Sequence, residues 1–202
     1  MGIRGRIALA AAAAAAVLTM TAGFAWARRF EVSSSTFRLT WSAVEFTTPL
    51  GAGARCPVTL EGSLHSRTIT KTNGALVGYV TRAVANAAAC EPQVVRFPAA
   101  SLPWHVRYDS FSGALPAVRG VTFQVAAAVE INPCIWAASE AAPARFTYNL
   151  TGIEVTSVRW VEASTLSITE ESPIMCAGSI AISGTGSAAV LGTTTRLRVR
   201  LI

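Results

Sequence analysis

From residue 28 onward, apolar positions recur at every second residue far more often than with the 3.6-residue period of a helix. Val121, Phe123, Val125, Ala127, Val129 and Ile131 fall in one phase, and Thr122, Gln124, Ala126, Ala128 and Glu130 in the other. Extended backbone places successive side chains on opposite faces, so this stretch predicts one half-buried strand that Asn132-Pro133 ends. The same logic predicts strands over Cys56–Leu60, Leu64–Thr70 and Leu76–Val84. The last two form a hairpin through Thr72-Asn73-Gly74-Ala75, where Asn and Gly accept positive φ. Ala83–Ala89 carries enough alanine for a short helical turn instead.

Residues 146–168 read as two or three strands, interrupted near Gly152 and near Glu162-Ala163-Ser164. Ile180 and Ile182 share a phase, and Gly184, Gly186 and Ser187 predict a loop. At the end of the chain, Leu197, Val199 and Leu201 point inward while Arg196, Arg198 and Arg200 face water. That pattern suits an edge strand, where charge discourages sheet-to-sheet association. Arg28–Ser35 and Ala137–Ala144 are expected to lack regular structure. The total is nine to eleven short strands and no long helix, which predicts an all-β, antiparallel β-sandwich, with a partly closed β-barrel as the alternative.

Residues 1–27 follow a different pattern. Arg4 and Arg6 precede an unbroken apolar run from Ile7 to Leu18, and Ala25-Trp26-Ala27 places small residues two apart. This is the layout of a cleavable signal peptide. The run is shorter than the roughly 20 apolar residues of a spanning helix, and no stable membrane span is expected after cleavage. The chain therefore divides into a signal peptide, 1–27, and one exported β-rich domain, 28–202, secreted or loosely associated with the cell envelope.

Export changes the meaning of the cysteines. Cys56, Cys90, Cys134 and Cys176 all lie in the exported part, and an even number there predicts two disulfides. Four cysteines allow three pairings. Cys56 with Cys90 and Cys134 with Cys176 is favoured because it closes two loops of comparable length. Structural zinc takes close ligand pairs such as Cys-x2-Cys, a spacing absent from this chain. The net charge of +6 includes Arg4 and Arg6, leaving about +4 on the exported part. Arginines are scattered, with no basic stripe and no recognition helix, so nucleic acid is not a predicted partner.

The inventory for acid-base chemistry is thin: His65, His105 and one aspartate, Asp109. On an extended segment His105 and Asp109 share a face but stand about 13 Å apart, and no Gly-x-Ser-x-Gly elbow accompanies them. His65 and His105 lack obvious further metal ligands. Glu61, Glu130, Glu154 and Glu162 could supply a glycosidase pair only if two of them converged at about 5 to 10 Å. Glu170-Glu171 before Ser172-Pro173 reads as a solvated turn. No catalytic residue, metal site or cofactor is predicted. The candidate binding residues are Trp104 and Tyr108, as an aromatic platform, with His105 and Arg107 beside them. The other exported tryptophans, Trp41, Trp136 and Trp160, are expected to fill the core or cover its ends.

Cys56-Pro57-Val58-Thr59-Leu60-Glu61-Gly62-Ser63, the stretch from Lys71 to Gly78-Tyr79-Val80, and Leu102-Pro103-Trp104-His105-Val106-Arg107-Tyr108 with Phe111 and Gly113-Ala114-Leu115-Pro116 carry a resemblance. Over roughly residues 30 to 180 the chain resembles small exported β-rich proteins of high-GC actinobacteria, a group without an assigned activity. The resemblance implies export, disulfides and β structure, and transfers no catalytic residue. The expected function is a non-enzymatic extracellular or envelope-associated protein with a binding or structural role toward an unidentified extracellular partner. The alternatives are a secreted hydrolase acting on envelope material, and a disulfide-stabilised inhibitor or interaction module whose exposed loop after Ile131 would protrude, held by Cys134. Intact-mass analysis of the exported protein should give residues 28–202 less four hydrogens. A mass retaining the leader would contradict the export reading.

Overall fold

Alternation of buried and exposed residues produces strands over more than half of the described chain. The computed structural model describes residues 29–202 except Ala52, Leu115, Pro116, Glu140, Glu162 and Ala163; the signal-peptide assignment lies outside the described residues. The strands are β1 (Arg29–Val32), β2 (Thr36–Thr47), β3 (Gly53–Leu64), β4 (Thr68–Thr70) and β5 (Leu76–Ala85). After 3-10 turns at Ala87–Ala89 and Ala99–Ser101 come β6 (Trp104–Ala114), β7 (Ala117–Val125), β8 (Ala128–Ile131), β9 (Cys134–Ala137) and β10 (Ala144–Thr151). The chain finishes with β11 (Glu154–Trp160), β12 (Thr165–Ile168), β13 (Ser179–Ser183), β14 (Thr185–Val190) and β15 (Val199–Leu201).

The all-β expectation holds, and the pairing closes a ring. Hydrogen bonding runs β14-β11-β10-β7-β6-β5-β3-β2, and β2 also pairs with β14, giving an eight-stranded closed barrel. Seven further strands among the described residues lie outside this ring. Closure depends on β2, which changes partner along its length. Phe37–Thr40 pairs with β14, and Glu45–Thr47 pairs with β13. The register shift between Trp41 and Val44 marks the bulge where the strand bends from one partner to the other. From β13 the sheet continues as β12, β9 and β8, a flap at the end of the barrel marked by Thr47. A small sheet, β15-β1-β4, sits at the end marked by Thr36.

The barrel is filled by aromatic side chains. Trp41 stacks on Trp160 with ring centroids 5.5 Å apart, and Phe146, Phe123, Tyr148 and Tyr108 continue the contact series. Such pairs add roughly 0.5 to 1.5 kcal/mol each beyond the burial of their area. A residual cavity of about 10 Å³ between the barrel and the flap is lined by Val44, Phe97 and Trp160 among others, so side chains fill the space there. Outward positions such as Arg38, Thr40, Thr59, Glu61, Arg82, Gln124, Thr147 and Arg159 are polar. A lipid-facing barrel presents an apolar belt at those positions.

Both favoured disulfides are formed, Cys56–Cys90 and Cys134–Cys176. The final residues follow the expected phase, with Leu197 and Val199 buried and β15 at the edge of the small sheet. Several other expectations need correction. Arg28–Ser35 is not without structure over its described residues: Phe30 and Val32 are buried, and β1 pairs with β15 and β4. The serines after Val32 hide a four-residue amphipathic strand. Ala137 and Ala144 belong to β9 and β10. The strand expected over Val121–Ile131 keeps its buried phase but divides at Ala126-Ala127, leaving the barrel as β7 and entering the flap as β8. Gly74 makes the expected turn, at φ 76°, but β5 pairs with β3, while Thr68–Thr70 pairs with β1. The described residues form fifteen strands, because short flap and rim strands are too brief to show a period.

Gly184–Ser187 was expected as a loop, and β14 starts at Thr185. Glycine is required there by packing. A Cβ on Gly186 would overlap the Thr40 carbonyl and lie 2.8 Å from the Trp41 indole. Gly186→Ala should therefore destabilise the fold by about 1 to 3 kcal/mol in urea unfolding. Gly178→Ala, whose Cβ would meet nothing within 4 Å, should stay within about 0.5 kcal/mol of wild type. Equal effects would contradict the closure geometry.

Candidate functional site

Trp104, Val106 and Tyr108, in the first half of β6, face the barrel interior, which decides the fate of the expected aromatic platform. Trp104 and Tyr108 are 1% and 3% exposed. Trp104 packs edge-on to Phe97 and donates its indole N–H to Ser101 Oγ at 3.0 Å; Tyr108 meets Phe30 and Phe123. They are core residues, and the platform does not exist. Trp41, Trp136 and Trp160 are buried as expected.

His105 and Arg107 face outward and line an open cleft of about 320 Å³ with Gly74, Gln124 and Ser139. Arg107 Nη1 donates to the Gly74 carbonyl at 3.1 Å. The His105 ring packs at 5.3 Å against Tyr79, which also meets His65 at 5.1 Å. Tyr79 thus stands between the two histidines and prevents them from sharing an ion. Among the described residues no cluster of three or more His, Cys, Asp or Glu could hold a metal.

The carboxylates serve other groups. The β6–β7 register shifts between Tyr108 and Ser110, so Asp109 sits at a bulge. Its carboxylate accepts from Gln124 Nε2 at 2.7 Å and Ser110 Oγ at 3.0 Å, with Arg145 Nε at 3.7 Å. These contacts turn it toward the β7–β10 side, not to His105. Glu61 lies between Arg38 at 2.8 Å and Arg82 at 3.1 Å. Glu31 is shared by Arg67 and Arg200, and Glu154 pairs with Arg198 at 3.4 Å. Glu130 pairs through its backbone with Arg96 on the flap, and Glu162 falls outside the described residues. Glu31, Glu61 and Glu154, on different strands, are thus tied by different arginines, and no two of them share a cleft.

Between β12 and β13 the solvated turn expected at Glu170-Glu171 is present, and the feature that sequence reasoning missed is the second turn that follows it. Ser172 N–H donates to the Thr169 carbonyl at 3.1 Å, and Cys176 N–H to the Pro173 carbonyl at 3.0 Å. These bonds make two successive tight turns. The first carries Glu170 and Glu171 at its corner, and the second carries Ile174 and Met175. Ile174 is 105% exposed and Met175 80%, although burying either would recover roughly 1.5 to 3 kcal/mol.

The loop is braced from beneath. Cys176 is bonded to Cys134; Ser172 Oγ accepts from Ile135 N–H at 2.8 Å and donates to its carbonyl at 3.0 Å. Trp136 Nε1 donates to the Ala177 carbonyl at 2.8 Å, and Thr169 N–H to the Ile135 carbonyl at 2.9 Å. Two exposed apolar side chains are thus held on a segment tied down by a disulfide and several hydrogen bonds. The available signal was an Ile-Met pair confined between Pro173 and Cys176, with no room for a strand that would bury it.

Burial works to raise the Glu61 carboxyl, but hydrogen bonds and charge from Arg82 and Arg38 outweigh it, and its pKa lies below the ordinary value. A carboxylate depressed in the folded state stabilises above its unfolded pKa of about 4.3, and that contribution fades as pH falls through the folded value. Glu61→Gln should cost about 1 kcal/mol or less at pH 7, since both arginines are well exposed. The gap to wild type in urea unfolding should close below about pH 4; a gap unchanged at pH 3 would contradict the assignment. No protein-family model matches the chain, and no curated protein or solved structure is detectably similar to it.

Proposed function

We propose that this is a non-enzymatic extracellular or envelope-associated protein that works by binding, with the braced loop Thr169–Cys176 as its contact element. The observation that carries the reading is the full exposure of Ile174 and Met175 on a segment held by a disulfide and by hydrogen bonds to Ile135 and Ala177. A loop ordered before binding loses little conformational freedom on binding, so its apolar contacts translate more fully into affinity. Methionine is suited to such a surface because its flexible, polarisable side chain adapts to a partner.

Two disulfides favour an oxidising compartment, and no helix among the described residues is long and apolar enough to cross a membrane. The hydrolase alternative is disfavoured by the neighbours of its candidate residues: Asp109 bonds to Gln124 and Ser110, His105 packs on Tyr79, and Glu61 is clamped by two arginines. The interaction-module alternative places its protruding loop after Ile131, where Asn132-Pro133 is only a tight turn into β9; the protruding loop is instead the one across the disulfide, at Cys176. A loop lying in a protease cleft as an extended strand is disfavoured, because Pro173–Cys176 folds back on itself.

The test is partition between the producing cell's surface and the medium. Ile174→Asp with Met175→Asp, at positions where both side chains are exposed, should leave the unfolding midpoint near wild type and move the protein from the surface fraction into the medium. An unchanged partition would refute the loop as the contact element.

A further inference from the structure

The two ends of the barrel carry complementary chemistry. β2 runs from one end to the other over 12 residues, about 40 Å of extended chain. The Thr47 end carries the loop, with Ile174 and Met175 at its tip and the exposed Glu170 and Glu171 beside them. The Thr36 end carries an open groove of about 520 Å³ between β15, the start of β7 and the turn joining β10 to β11. Val118, Leu150, Ile153 and Leu201 give the groove an apolar lining, and Arg119 and Arg200 stand at its edge. Ile153 is 48% exposed.

Charge around the groove is predominantly positive. Arg119 is exposed and has no ion-pair partner among the described residues. Arg200 shares the single carboxylate of Glu31 with Arg67. Lys71 adds another cation close by, over the rings of Phe30 and Phe111 at 5.4 and 5.0 Å.

We propose that the groove receives the Ile174-Met175 loop of a second copy of this chain, so that the protein associates head to tail. This inference rests on the reading of the loop as the contact element and names its partner. The match is chemical on both counts: two apolar side chains meet an apolar lining, and two carboxylates meet an arginine edge. Loop against loop would oppose glutamates, and groove against groove would oppose arginines, so both symmetric pairings are repelled. The bracing and the distance between the ends prevent a loop from reaching the groove of its own chain. A contact between two different patches is heterologous, and each added copy leaves one free loop and one free groove. Association therefore propagates into a ring or a filament.

The test is sedimentation velocity of the exported, disulfide-bonded protein over a concentration series. Wild type should show species larger than monomer that grow with concentration and shrink in 0.5 M NaCl, because the charged part of the contact is screened. The loop variant, Ile174→Asp with Met175→Asp, and a groove variant, Arg119→Glu with Ile153→Glu, should each associate roughly tenfold more weakly or not at all. Mixed together, they should form a one-to-one heterodimer that grows no further, because only the intact groove of one and the intact loop of the other remain. Arg119→Ala, a milder change, should weaken association in the same direction if the groove variant folds poorly.

A wild type that stays monomeric up to millimolar concentration would overturn the proposal, and so would variants that fail to complement each other. Binding of monomeric wild type to anionic phospholipid vesicles, lost in Arg119→Glu, would overturn it in favour of a lipid surface. A monomeric wild type whose loop variant still leaves the cell surface would remove self-association and leave the loop reading standing. A loop variant unchanged in both assays would remove both.

Discussion

The indole of Trp41 lies between Trp160 and the bare backbone of Gly186, and the barrel closes around that contact. β14 can come close enough to pair with β2 only because position 186 carries no side chain. That pairing joins the two ends of the sheet, removing its open edges from the barrel and sealing the aromatic core. Beyond Trp41 the same strand bends at its bulge and passes to β13, so the packing constraint that closes the barrel also places the flap. The loop bearing Ile174 and Met175 hangs from that flap.

A closed and filled barrel restricts where function can reside. The residual interior cavity holds about one water at most, and the polar outer wall ties its carboxylates to arginines. What remains is the periphery: the cleft at His105 and Arg107, the basic groove beside the small sheet, and the braced loop. Of these, the loop alone exposes apolar side chains that the fold expends a disulfide and several hydrogen bonds to hold in place. Exposure maintained against the hydrophobic effect is the physical basis for assigning recognition to it.

The sequence showed the elements whose signal is local. Period-two alternation located the long strands and the buried phase of Val121–Ile131, Asn73-Gly74 located its turn, and loop economy was enough to favour the observed disulfide pairing. The misreadings had a common cause, since each depended on a partner far along the chain. Phe30 and Val32 are buried only because β15 and β4 flank them. Gly186 is a strand residue only because Trp41 lies beneath it. Trp104 and Tyr108 shared a face, as their spacing required, but nothing local said whether that face was dry. His105 and Arg107, on the opposite face, reach a cleft for the same reason that the two aromatics do not. Ile174 and Met175 were the least legible, because apolar residues normally signal burial and here the disulfide holds them out.

The central claim is that the loop is ordered before it meets any partner, and backbone 15N relaxation tests it most directly. Order parameters for Glu171, Ile174 and Met175 should lie near the value of about 0.85 typical of rigid backbone, matching β9 and β13. Values below about 0.6 at those residues, with the flanking strands rigid, would show a freely moving loop and contradict the account.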